Sequence, residues 1–185
     1  ERVSAVLRPK VDAVLNLHDV ADELGLDLAN FVVFSSAASL LGSPGQGSYA
    51  AANAFLNEFA RVRSAADVPT LALNWGLWEA SGGDAGMASG LSAEDLARLR
   101  RSGFVPLAVE DGLGLFDRAL AGGAPVVVPI GLDRPALGRS AEVPAVLREL
   151  VPSSARAGRR NGHREDRGFV QRLRGLDAAE RRERV

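Results

Sequence analysis

Three short apolar runs, Phe31-Val32-Val33-Phe34, Thr70-Leu71-Ala72-Leu73-Asn74-Trp75 and Pro125-Val126-Val127-Val128-Pro129-Ile130, are separated by stretches with helical spacing. Continuous runs of this length, bounded by polar and turn residues, suit strands covered on both faces. Such strands alternating with helices make an α/β fold built on a parallel sheet. Ser35 and Ser36 then stand at the carboxyl end of the first strand.

The intervening segments supply the helices. Val3, Val6, Leu7, Val11, Val14, Leu15, Leu17, Val20 and Leu24 predict one long amphipathic helix over 2–24, carrying Lys10 and placing His18 on its surface. The turn-rich Gly42-Ser43-Pro44-Gly45-Gln46-Gly47 leads into an Ala-rich helix from Ser48 to about Arg63. Gly82 to Gly90 reads as a flexible loop. Ser92 and Asp95 form a capping box for a helix through Arg101, and a further helix runs from Glu110 to Leu120.

The remaining 34 residues differ in kind. Residues 152–185 hold ten arginines and five acids among Gly, Ser and Ala. The stretch 152–168 reads as a disordered linker and 169–185 as an amphipathic helix cut short. Acids interrupt the arginines and aromatic partners for bases are lacking, so a solvated linker fits better than a nucleic-acid contact. The first residue is Glu1, which is followed at once by a helical pattern, so the chain reads as a piece of something longer.

Composition narrows the chemistry. There is no cysteine, and the histidines are His18 and His163, so thiol nucleophiles, disulfides and Cys/His zinc sites are excluded and no metal is expected. The net charge is −1, and no apolar run approaches the ~18 residues of a membrane span. No signal segment is visible, and a cytoplasmic setting is expected. One lysine, Lys10, and one tyrosine, Tyr49, stand against many arginines and seven phenylalanines. Arg does not give up its proton and Phe has no hydroxyl, so neither replaces Lys or Tyr in acid–base work.

Tyr49 and Asn53, four apart on a helix, share one face, and Ser36 can meet them across the turn. Ligands of open parallel sheets bind beyond the carboxyl ends of the strands, where these residues converge. A phenol that donates a proton near neutral pH needs a nearby cation, and Lys10 is the one lysine available.

Phe-Val-Val-Phe-Ser-Ser-Ala-Ala (31–38), Gly-Ser-Pro-Gly-Gln-Gly-Ser-Tyr-Ala-Ala-Ala-Asn-Ala (42–54) and Leu-Asn-Trp-Gly-Leu-Trp (73–78) resemble the ketoreductase domain of modular type I polyketide synthases. That family lies in the short-chain dehydrogenase/reductase superfamily. Ordinary superfamily members carry a lysine where Asn53 stands; Asn53 with an upstream Lys10 resembles the polyketide synthase branch. A sugar epimerase or dehydratase would want lysine at that position.

The resemblance implies a Rossmann-like, doubly wound parallel sheet, of which residues 1–150 form the carboxyl-terminal part of the catalytic domain. Residues 151–168 become an Arg-rich linker and 169–185 the start of an acyl carrier protein domain. It implies NADPH-dependent reduction of the β-keto group of an acyl-carrier-bound intermediate, with Tyr49 as proton donor and Ser36 bonding the keto oxygen. Lys10 and Asn53 take the roles of tuning the phenol and holding a proton relay. Asn74, Trp75 and Gly76 match the turn that passes the nicotinamide, and Gly86 to Phe104 the lid over the substrate. Leu41, Gln46, Ala51 and Met87 fall at substrate and stereocontrol positions. Leu41 stands where the L-hydroxyl type has tryptophan and Ala51 where the epimerising type has proline, so a D-hydroxyl product is expected. The partners implied are the carrier-bound thioester, the upstream half of the ketoreductase and other synthase domains, with neither nucleic acid nor membrane. The glycine-rich phosphate turn is expected before Glu1. A redox-inactive interaction module of the same assembly line is the other reading, and the presence of Ser36, Tyr49, Asn53 and Lys10 favours the reductase.

Overall fold

The computed structural model describes residues 2–42, 45–79, 92–140 and 143–151. The loop expected over 82–90, the turn residues Ser43 and Pro44, and the linker and carrier segments from residue 152 onward lie outside the described residues. The chain begins with helices α1 (Arg2–Leu7) and α2 (Val11–Glu23), strand β1 (Phe31–Ser36) and a four-residue helix α3 (Ala38–Leu41). Helix α4 (Gly47–Ala65), strand β2 (Thr70–Trp75), helix α5 (Ala93–Arg101) and the two-residue strand β3 (Phe104–Val105) follow. Helix α6 (Val109–Ala121), strands β4 (Val126–Val127) and β5 (Gly131–Leu132), helix α7 (Arg134–Arg139) and a 3₁₀ turn (Ala145–Leu150) complete it.

β1, β2 and β4 form a parallel sheet in that order, with Phe31 opposite Thr70 and Ser36 opposite Trp75. Helices cover both faces, which is the doubly wound arrangement. Alternation along the strands sends Val33 and Ala72 to one side, where they pack with Val14 of α2 and Leu56 and Ala60 of α4. Leu71, Leu73 and Trp75 point to the other side, against Leu115, Phe116 and Ala119 of α6. A third apolar cluster, Leu137, Val143, Leu147 and Val151, holds the carboxyl end of the described chain and receives Leu41, Phe104 and Leu132.

Two glycines are required by close approach. The Trp78 indole lies directly on α6 at Gly112, where a Cβ would come within 2.4 Å of the ring. Gly103 has a φ of +86°, and a Cβ there would meet the Leu137 backbone at 2.6 Å. Leu107 bridges to Trp78, its amide bonding the Leu77 carbonyl (2.8 Å) and its carbonyl the Glu79 amide (2.8 Å).

Three expectations change. The helix over 2–24 is two helices, because Pro9 has no N–H to give the ladder and its ring crowds the preceding turn. A tight turn replaces the helix there, with the Lys10 amide on the Leu7 carbonyl (3.0 Å), so Lys10 begins α2. β1 is not covered on both faces: Phe34 touches Trp75 and Phe116 but keeps 55% of its surface exposed. The third apolar run is regular only at Val126–Val127, because Pro125 and Pro129 cannot donate. Their carbonyls still accept from Ala72 (2.8 Å) and Gly76 (2.9 Å), which keeps the segment beside β2.

His18 is also more than surface. It lies edge-on to Phe59, and its Nδ1 meets the guanidinium of the buried Arg63, which stacks over Phe31 (4.9 Å) and Phe59 (5.5 Å). Arg63 Nε donates to Thr70 Oγ1 (3.1 Å) at the start of β2.

Candidate active site

The break at Pro9 decides where Lys10 goes. α1 and α2 both contact α4, and the turn between them brings the lysine beside the edge of β1. The amides of Phe31 and Ala37 bond β2, at the Pro69 and Trp75 carbonyls (2.9 Å each). By strand alternation the backbone groups of Val32, Phe34 and Ser36 therefore point away from β2, along the outer edge. Lys10 Nζ donates to one of them, the Phe34 carbonyl (3.0 Å), and lies 5.8 Å from the centre of the Tyr49 ring. Partial burial strips water from the ammonium and pushes the Lys10 pKa below the ordinary lysine value.

Tyr49 and Asn53 sit one turn apart near the start of α4, as their spacing requires. Asn53 is fully buried, and its Nδ2 donates back to the Tyr49 carbonyl (2.8 Å). Its Oδ1, like Asn57 Oδ1, has no hydrogen-bond partner among the described residues. Ser36 ends β1, with its Oγ accepting from the Ala38 amide (3.2 Å). The fold thus brings Lys10, Tyr49 and Asn53 together, with Ser36 two residues beyond the carbonyl that holds the lysine.

Behind these residues lies a buried polar junction. Ser35 Oγ is within hydrogen-bonding distance of the Asn53 carbonyl (3.0 Å) and Asn74 Oδ1 (2.9 Å). Ser39 Oγ meets the Ser36 carbonyl (2.8 Å) and Asn74 Oδ1 (2.7 Å), and accepts from Asn57 Nδ2 (3.0 Å). Ser35, Ser39 and Asn57 escaped sequence reasoning. The signal available was a second asparagine four residues after Asn53, on the same helix face, and a third hydroxyl three residues after Ser36.

Similarity to known proteins follows the same residues. The KR domain family matches residues 1–80. A phenolphthiocerol synthesis polyketide synthase type I, Pks15/1 of Mycobacterium marinum, is 46% identical over 99% of this chain. The polyketide synthase GfsB of Streptomyces halstedii is 51% identical over 82% of it. A solved A1-type ketoreductase superposes on 83% of the chain with a TM-score of 0.68 and 33% identity.

The chain belongs to the ketoreductase family of polyketide synthases.

This ketoreductase chain spans 9% and 3% of those two synthases and 31% of the solved ketoreductase. Of the positions expected near the nicotinamide, Asn74 has its side chain fully buried. Its Oδ1 accepts the two serine hydroxyls and its Nδ2 donates to the Val127 carbonyl (3.3 Å), so only its backbone is available to a ligand. Trp75 ends β2, with an indole N–H that is buried without a partner among the described residues. Gly76 follows, its amide on the Pro129 carbonyl. Leu41 packs into the apolar cluster around Leu137, while Gln46 and Ala51 are exposed at the N-cap and first turns of α4. Met87 lies outside the described residues, as does the first part of the lid expected from Gly86 to Phe104. Among the described residues no group of three or more His, Asp or Glu is placed to hold a metal, and no helix is long and apolar enough to cross a membrane.

Proposed function

We propose that this ketoreductase chain supplies the proton-donating part of a site that reduces the β-keto group of an acyl-carrier-bound polyketide intermediate with NADPH. The observation that carries the reading is Lys10 Nζ held on β1 at 5.8 Å from the Tyr49 ring, with Asn53 tied to the Tyr49 backbone. The only lysine and the only tyrosine of the chain, far apart in sequence, meet at the carboxyl end of the sheet.

The donor set fits a nicotinamide riboside in part. An ammonium has three N–H donors; Lys10 gives one to Phe34, which leaves others for ribose hydroxyls. Lys10 and the backbone at Trp75 and Gly76 would hold the group, while the Asn74 amide is already committed to its neighbours. The cofactor supplies a hydride to the keto carbon. Tyr49 gives its phenolic proton to the keto oxygen, so the carbonyl gains two hydrogens and becomes a β-hydroxyl. Ser36 Oγ orients that oxygen by a hydrogen bond, and Lys10 and Asn53 lie on the route by which the phenol is reprotonated. With Leu41 and Ala51 at the stereocontrol positions, the product is the D-hydroxyl without epimerisation.

Tyr49→Phe in the complete ketoreductase tests the assignment, because it removes one hydroxyl and nothing else. NADPH binding should persist while turnover of a β-keto thioester falls by at least ~10²-fold, the low end for a positioned general acid. Near-normal reduction by the variant would overturn the role, and chiral chromatography of the wild-type product reads the D-hydroxyl assignment in the same assay.

A further inference from the structure

We infer that Ser39 is a positioning residue for Ser36, an inference that rests on the reductase reading above. Ser36 is weakly anchored by the sheet. Its backbone groups point to the outer edge, not toward β2, and its side-chain oxygen accepts only from the Ala38 amide two residues on (3.2 Å). The side chain that grips its peptide is Ser39, whose Oγ lies 2.8 Å from the Ser36 carbonyl.

Proton counting shows how the grip works. Each serine hydroxyl has one proton and can accept two bonds. Ser39 faces two acceptors, the Ser36 carbonyl and Asn74 Oδ1, and Ser35 also faces two, Asn74 Oδ1 and the Asn53 carbonyl. The Asn74 amide is fixed in direction, because the Val127 carbonyl can only accept and must face Nδ2. The Asn53 carbonyl lies inside α4, where the helix ladder already serves it, so the Ser35 proton is best spent on Asn74. That leaves the Ser39 proton for Ser36. Asn57 Nδ2, donating to Ser39 Oγ (3.0 Å), occupies a lone pair and turns the hydroxyl proton outward to the Ser36 carbonyl. A wholly internal network of Asn74, Asn57 and two hydroxyls thereby sets the orientation of a residue at the open end of the strand.

The test is a double-mutant cycle of Ser36→Ala and Ser39→Ala in the complete ketoreductase. Ser39→Ala should lower kcat about tenfold, as expected for one lost hydrogen bond acting on the transition state, with KM for NADPH unchanged and Ser39→Thr restoring activity. In the Ser36→Ala background, Ser39→Ala should cause no further loss, because it acts through a hydroxyl already absent. Ser39→Cys keeps the volume with a poor donor and should fall with the alanine variant even if alanine loosens α3. Equal losses from Ser39→Ala in both backgrounds, or full kcat in both Ser39→Ala and Ser39→Cys, would refute positioning while leaving the reductase reading intact. A fully active Ser36→Ala would overturn both.

Discussion

The two sides of β1 are finished to different degrees. On the α4 side Ala52, Ala60, Ala72, Asn53 and Asn74 have no exposed surface, and the polar atoms are joined through Ser35 and Ser39. On the α6 side Phe34 is more than half exposed, and along the outer edge a groove of about 470 Å³ opens between α2 and β1. Leu17, Val20, Leu26 and Leu28 line it and are exposed. Exposed strand edges and contiguous apolar surface are what proteins cover or blunt, and here a single lysine blunts the edge at Phe34. The contrast teaches that the proton-donating residues are organised within these residues, whereas the edge of the same strand calls for a covering element.

The largest expected effect breaks the contrast if it is wrong. Residues 1–185 expressed alone should bind no NADPH and should be poorly soluble, and adding the upstream half of the domain, in the same chain or in trans, should restore both properties. Titration followed by nicotinamide fluorescence decides it; micromolar binding by 1–185 alone would mean the cofactor site is complete without a cover. A finer comparison uses one core position on each side of the strand pair in the complete domain. Leu73→Ala should cost about 2–5 kcal/mol, as for any fully buried leucine. Phe34→Ala should cost a similar ~3–5 kcal/mol if the edge is covered there, but within about 0.5 kcal/mol if it remains open. Urea midpoints of the two variants separate these cases, and a cost for Phe34→Ala comparable with Leu73→Ala is expected. The smallest effect is alkaline. Burial lowers the folded-state pKa of Lys10, so between that value and the ordinary lysine pKa of about 10.4 the unfolded chain binds more protons. Stability should therefore rise as pH climbs through that window and level off above it. Lys10→Met should remove the rise; an unaltered alkaline limb would show the ammonium to be fully solvated.

What was legible in the sequence follows from which forces are local. β1 and β2 were readable because continuous apolar runs need no knowledge of the partner, and α5 because Ser92 and Asp95 close a capping box within four residues. α3 was not, since four residues carry no periodicity, nor were β3 and β5, which are two residues each and exist only through pairing with one another. Pro9 was visible in the run of helical apolar spacings, yet the period outweighed the imide; the chain resolves the conflict in favour of the missing N–H. In the site, the juxtaposition of Tyr49 and Asn53 was fixed by helical spacing. The division of labour between Ser35 and Ser36 was not, because which hydroxyl turns inward depends on the parity of β1 against a helix that comes later. Arg63 and His18 are 45 residues apart, and only folding shows that they meet.

The bridge between Trp78 and Leu107 has a consequence for how such a chain changes over time. Residues 79 and 107 are fastened side by side, so whatever the chain does between them leaves and re-enters the fold at one point. Each doubling in length of a segment with fixed ends adds only about 0.6 kcal/mol of closure entropy. The stretch between can therefore be rewritten, lengthened or exchanged among relatives as a replaceable cassette, while Trp78, seated on Gly112, keeps the register of everything that follows.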